Sequence, residues 1–273
     1  MKIAVNQWMF PADLPVEECF RAAKAAGADG VELNISYDKG LLNLKQPLDH
    51  YYKLADTARS LHMQVASVLP AGAWENLAKI EPNSPAADES CLRLAQMCDI
   101  TKALGADTIL LVPGSIGDGT PRYDIAWQNS TAMIKRMEAI AAAKGVYLAI
   151  ENIWSKFILS PTEMRQFIDQ FESPYVKAYF DVGNVLLYGF PEHWIEILGP
   201  RIQRVHLKDF RRSVASGGGF VGLLEGDVNW PSVMAALKAV GYDGFVTAEL
   251  SRPAHHWQAF LSASCAIMRT LIA

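Results

Sequence analysis

Short apolar runs alternate along this chain with longer stretches in which apolar residues recur at helical spacing. The short runs predict strands at Ile3–Val5, Gly30–Asn34, Gln64–Val68, Thr108–Val112, Tyr147–Glu151, Lys177–Asp181, Arg204–Lys208 and Phe245–Glu249. Helices are predicted at Pro15–Ala26, Pro47–His62, Ala86–Leu104, Ala126–Lys144, Pro161–Phe171 and Pro231–Val240. Ser160 and Asn229 precede prolines as helix-capping residues, and Gly27, Gly105, Gly145 and Gly241 stand where left-handed C-caps fall. One phrase recurs, as AAGADGVEL at 25–33, ALGADTILL at 103–111 and AVGYDGFVTAEL at 239–250. Each copy ends a helix at glycine and enters a strand through an Asp-containing turn, an echo of repeated βα units. Eight such units within residues 1–273 predict a single-domain α/β fold, the (β/α)8 TIM barrel. A doubly wound open sheet is the alternative, but no GxGxxG turn follows the first strand.

The polar residues at the strand ends add chemistry to this frame. Glu151, Asp181, His206 and Glu249 each stand at the C-terminal end of a strand or near it, on the last four strands in order. Side chains alternate along a strand, so His206 shares a face with Lys208, and Glu249 with Thr247. Val205, Leu207, Val246, Ala248 and Leu250 take the other face. In a closed barrel the polar set faces inward and converges on one mouth. Three carboxylates crowded there repel one another unless a cation joins them. Oxygen-rich ligation with one nitrogen suits one divalent metal ion and favours Mn²⁺, Mg²⁺ or Co²⁺ over a structural Zn²⁺, without selecting among them.

Composition narrows the function classes. Net charge is −4, and 20% of residues are charged against the roughly 25% usual in soluble domains. No basic face is advertised, which argues against nucleic-acid binding. No apolar stretch approaches membrane-spanning length, and the N-terminal MKIAVNQWMF lacks a signal-peptide pattern. Cys19, Cys91, Cys98 and Cys265 form no CxxC pair, so reduced thiols and a cytoplasmic location are expected. A homo-oligomer is compatible with the sequence.

The segments ENIWSKFILSP at 151–161, YFDVGN at 179–184, VHLKDF at 205–210, LEGDVNW at 224–230 and TAEL at 247–250 resemble the sugar phosphate isomerase/epimerase family. That family belongs to the xylose isomerase-like barrels, and the chain is similar to the ketose 3-epimerases. The resemblance implies that Glu151, Asp181, His206 and Glu249 bind one metal ion, and that Glu151 and Glu249 also exchange the substrate proton. It implies a sugar or sugar phosphate as substrate and proton transfer beside a ketose carbonyl through an enediolate. An inosose-type dehydratase shares the first step and is the alternative. An apurinic endonuclease would need further strand-end histidines that are missing here, and retention of both glutamates argues against a non-catalytic sugar-binding relative.

Further substrate contacts are expected from Lys208, Arg212, Asn184, Lys156, Trp154 and Glu32. Arg212 matches a position where the related epimerases place a substrate-binding arginine. Asn184 stands where they carry histidine. Trp8 and Phe220 are candidate walls of the sugar site. The glycine-rich SGGGF at 216–220 is expected to form a mobile loop near strands seven and eight, with backbone N–H groups available to a phosphate.

Overall fold

The computed structural model describes residues 1–273. Eight parallel strands close into one barrel: β1 (Lys2–Asn6), β2 (Gly30–Ser36), β3 (Gln64–Ala71), β4 (Thr108–Leu111), β5 (Tyr147–Glu151), β6 (Val176–Asp181), β7 (Ile202–Leu207) and β10 (Phe245–Ala248). They follow one another in chain order around the ring, and β10 pairs with β1 to close it. The helices α1 (Val16–Ala25), α2 (Leu48–Ser60), α3 (Pro85–Ala103), α4 (Tyr123–Ala143), α5 (Pro161–Asp169), α6 (Pro191–Leu198), α7 (Trp230–Ala239) and α8 (Trp257–Ile272) fill the connections and the C-terminus. This is the predicted (β/α)8 barrel, with α6 and α8 as helices that the apolar spacing alone did not single out. No helix is long and apolar enough to cross a membrane.

Strand alternation divides the core in two. Outward residues such as Leu148, Ile150, Phe180, Val205, Leu207 and Val246 pack under the helices in one continuous apolar layer. Phe180, for example, stacks on Trp194 of α6 at 6.2 Å between ring centroids. The barrel interior is built in separate levels. Ala4, Ala66 and Phe245 form one small apolar cluster, and Leu69, Leu110, Ala149 and Tyr179 form another. Arg204 joins its Nη2 to Asp107 at 2.6 Å and donates Nε–H to the Ala66 carbonyl, two positions before His206 on the same strand face. The polar residues Glu32, Ser67, Asp181 and His206 are buried without exposure. Such burial costs free energy unless each group is partnered, so the interior must be read as a polar network.

Two register shifts aim this network. The β2–β3 ladder slips between Val31 and Glu32, leaving Ala66 unpaired and setting Ser67 opposite Glu32. The β6–β7 ladder slips between Ala178 and Tyr179, which brings Asp181 opposite His206. Bulges of this kind re-aim side chains beside functional sites.

A second sheet, unexpected from the sequence, sits above β7. Asp209–Phe210 (β8) pairs antiparallel with Phe220–Val221 (β9). The glycine-rich stretch expected as a mobile loop is therefore a hairpin: Gly217–Gly219 forms a 3-10 turn leading into β9. A Cβ on Gly219 would lie 2.6 Å from the Phe210 ring, so only glycine fits this turn. Asp209 anchors the returning chain, accepting from the backbone N–H groups of Phe210, Leu224 and Val228 and from Trp230 Nε1. Gly226 passes so close that a Cβ there would collide with that carboxylate. All four cysteines are free and buried, Cys91 and Cys98 on α3 included.

Candidate metal centre and active site

The barrel mouth brings together Glu151, Asp181, His206 and Glu249, all buried, with one ligand atom from each lying within 4.8 Å of every other. Glu151 and Asp181 end β5 and β6, His206 lies in β7, and Glu249 directly follows β10. His206 Nδ1 is the hub, 3.0 Å from Glu151 Oε1, 3.0 Å from Glu249 Oε2 and 3.8 Å from Asp181 Oδ2. Asp181 is held from its own backbone outward. Its N–H donates to Asn152 Oδ1, and its carbonyl accepts from Asn152 Nδ2. Its Oδ1 accepts the Asn184 N–H at 2.7 Å.

Lys208 Nζ stands 3.1 Å from Asp181 Oδ2 and 2.5 Å from Glu249 Oε2. Both oxygens are buried and are met by these charged neighbours, with no hydrogen bond of good geometry to either. Buried acceptors are ordinarily satisfied. Two buried carboxylate oxygens without a well-formed hydrogen bond, beside an imidazole nitrogen and a further carboxylate, are a donor set that fits a divalent cation. The residues present thus suit the expected metal.

The charges tilt each other strongly. Burial pushes the Glu151 carboxyl up to about 7, the Glu249 charge adds to the rise, and His206 and Lys208 oppose it. Burial also acts upward on Glu249, but the His206 and Lys208 charges outweigh it and hold that carboxyl at about 2. Asp181 is raised by burial against the pull of Lys208. For His206 burial disfavours the imidazolium, yet Glu249, Tyr179 and Glu32 prevail and raise it well above the usual histidine range.

A pH-dependent stability follows for the cation-free protein. Glu151 rises from 4.5 to about 7 on folding, so its ionisation is penalised in the folded state. The penalty is absent below the unfolded value, grows as pH climbs from 4.5 to about 7, and is complete above that. At about 1.4 kcal/mol per unit it amounts to roughly 3 kcal/mol. Glu151→Gln is therefore expected to stabilise the chelator-treated protein by roughly 2–3 kcal/mol more at pH 8 than at pH 5. Urea midpoints at the two pH values measure this, and an equal gain at both would refute the assignment.

The remaining expected contacts separate. Trp154 donates Nε1–H to the Asn184 carbonyl and packs against Phe210 and Phe220 at 5.3 and 5.1 Å between centroids. Asn184 is buried, and its Nδ2 donates to the Asn152 carbonyl. Arg212 is exposed and is tied only through its backbone N–H to Asp227. Lys156 reaches the Gly117 carbonyl at 3.2 Å on the exposed rim, away from the carboxylates. Glu32 does not reach the mouth. It is fully buried beneath His206, and its carboxylate is occupied by His206, Asn6, Ser67 and Tyr179. Asn6, Ser67, Tyr179 and Asn152 escaped the sequence reading; the polar inward parity of Ser67 and Asn6 was the available signal.

Beside Glu249 and Lys208 opens a cleft of about 770 Å³, lined also by Trp8, Phe220 and Arg252 among others. Its cationic rim residue is Arg252, where the sequence suggested Arg212. The volume lies within the roughly 300–1,000 Å³ of small-molecule sites.

The closed barrel with a carboxylate–imidazole cluster at its C-terminal mouth has the layout of a TIM-barrel enzyme, in which active sites occupy that face. The chain belongs to the xylose isomerase-like TIM barrel family, whose family model matches residues 20–271. It is 28% identical over 118 residues to 2-epi-5-epi-valiolone 7-phosphate 2-epimerase of Actinoplanes sp., covering 42% of this chain and 41% of that protein. It is 22% identical over 215 residues to inosose dehydratase of Bacillus anthracis, covering 74% of this chain and 66% of that one. The matches thus span less than two thirds of either relative's length. Among solved structures, a D-tagatose 3-epimerase-like protein superposes with a TM-score of 0.82 at 18% identity, covering 100% of this chain and 97% of the other. The IOLI protein, solved with a zinc atom, gives a TM-score of 0.82 at 16% identity, covering 100% and 98%.

Proposed function

We propose that this protein is a divalent-metal-dependent isomerase that moves a proton beside the carbonyl of a ketose or ketose phosphate, as a 3-epimerase or an aldose–ketose isomerase does. The observation that carries the reading is the pair Glu151 and Glu249, which approach His206 Nδ1 at 3.0 Å each from strand ends separated by β6 and β7. Glu151, Asp181, His206 and Glu249 would hold the cation, with Mn²⁺ as the expected ion. The metal would act as a Lewis acid on the negative charge that develops as the substrate becomes an enediolate.

The protein's own groups do the rest. Epimerisation needs a base on one face of the carbon and an acid on the other. Glu151 and Glu249 would supply them, as carboxylates that also help to hold the ion. Their environments push their proton affinities in opposite directions, the pattern expected of an acid–base pair. Lys208, which lines the cleft beside Asp181 and Glu249, would donate to a substrate oxygen. Asn184 Oδ1 accepts from a hydroxyl. Trp8, Trp154 and Phe220 wall the sugar and exclude water, while Arg212, Arg252 and Lys156 are the rim cations available to a phosphate. The substrate is a small sugar, bound without nucleic acid or membrane, in the cytoplasm.

An inosose-type dehydratase is the second reading, favoured by the relative that aligns over 74% of this chain. Both reactions begin with the same proton abstraction. A panel of ketoses, ketose phosphates and an inosose, incubated with Mn²⁺ in D₂O and followed by NMR, separates them. Deuterium entering beside the ketose carbonyl, with a changed configuration, is the expected result. A UV-absorbing elimination product from the inosose alone would favour the dehydratase, and exchange with none of them would sink both readings.

A further inference from the structure

We propose that Glu32 is a positioning residue for the metal centre: by taking the Nε2–H of His206 it commits Nδ1, across the imidazole ring, to the cation. The inference rests on the metal site proposed above. His206 Nε2 lies 2.8 Å from Glu32 Oε2, while Nδ1 faces Glu151, Asp181 and Glu249. A neutral imidazole has one N–H and one lone pair, so a carboxylate on Nε2 leaves the lone pair on Nδ1.

Glu32 is itself immobilised. Oε2 also accepts from Asn6 Nδ2 at 2.6 Å, and Oε1 accepts from Ser67 Oγ at 2.8 Å and from the Tyr179 hydroxyl at 2.7 Å. Asn6, Ser67 and Tyr179 are buried with it. The slip in the β2–β3 ladder makes Ser67 its direct partner, so the fold departs from regular pairing where this carboxylate is bound. Tyr179 completes the clamp, its ring lying 4.2 Å from that of His206 between centroids. The imidazole is thereby held on one face by an aromatic ring and on one edge by an anion. Desolvation disfavours a carboxylate in this setting, where an apolar residue of similar size would avoid that cost. What only the carboxylate gives is ring orientation, tautomer and greater basicity at the ligating nitrogen.

The test uses the full chain with Glu32→Ala and Glu32→Gln, titrated calorimetrically with Mn²⁺, and Asp181→Ala as control. Glu32→Ala is expected to bind Mn²⁺ roughly 10–100-fold more weakly, the usual effect of removing such a partner. Glu32→Gln, whose amide oxygen still accepts from Nε2, should fall between it and wild type. Histidine-¹⁵N spectra of the Zn²⁺-loaded wild type should show the His206 proton on Nε2 and none on Nδ1. Wild-type affinity in Glu32→Ala, or a proton on Nδ1, would overturn the proposal. Should Glu32→Ala fail to fold, the glutamine variant and the wild-type spectrum decide. If Asp181→Ala binds as wild type does, the metal site itself is wrong, an outcome distinct from failure at Glu32.

Discussion

Glu151→Gln and Glu249→Gln are each expected to slow proton exchange beside the substrate carbonyl by roughly 10²–10⁴-fold, the range over which a positioned acid or base contributes. Glutamine keeps the shape and an oxygen that can face the cluster, but it neither takes nor gives the proton. The two variants should fail differently. An epimerase approaches its carbon from both faces, so the residue that removes the proton from one epimer is the acid that protonates the intermediate formed from the other. Losing that base from one epimer's direction should leave exchange slow with that epimer and less affected with the other. Measuring deuterium incorporation from each epimer separately, at saturating Mn²⁺, exposes the asymmetry. Full exchange in both variants would remove the proposed roles. Equal loss accompanied by loss of bound metal would mean that the glutamates act as ligands alone, which metal analysis of the same samples detects.

The barrel was legible because each strand is short, apolar on its outer face and bounded by a turn residue. Tyr147–Glu151 matches β5 end to end, while Lys208 and Glu249 fall just past their strands. The four mouth residues could be grouped because alternation is a local rule that survives in any strand. Register slips are not local. The shift that sets Ser67 against Glu32 depends on how β2 meets β3, and neither segment carries a mark of it. For the same reason Glu32 looked like one more strand-end carboxylate at the mouth and proved to lie below it. Helix α8 went unnamed because its usual start signals are absent: its N-cap, His256, has a left-handed backbone and no capping hydrogen bond, and no acid lies in its first turn. The glycines at 217–219 suggested mobility, whereas Phe210 demands the missing side chain at Gly219. Glycine serves close approach as readily as flexibility.

Metal binding should disappear when its two ligands of simplest role are removed together. A variant carrying Asp181→Ala and His206→Ala is expected to retain little ion by elemental analysis after loading with Mn²⁺ and desalting; occupancy equal to wild type would sink the ligand assignment. The double change is chosen on electrostatic grounds. His206→Ala alone would leave Glu32 and Glu249 without the charge that holds them ionised, and stranding buried charges in this way costs roughly 3–5 kcal/mol. Removing Asp181 with it takes one of the crowded carboxylates away and leaves Lys208 to pair with Glu249. Wild type should gain thermal stability on adding cation, since an ion bound only by the folded state contributes about 2.7 kcal/mol at a hundredfold excess over its dissociation constant. For a chain of this size that is roughly a 5 °C rise in Tm. The double variant should show none, because Glu151 and Glu249 alone cannot match the four-ligand set whose buried oxygens the cation would satisfy. A full shift in the variant would place the stabilising ion elsewhere on the protein, and the mouth of the barrel would then need another explanation for its crowded carboxylates.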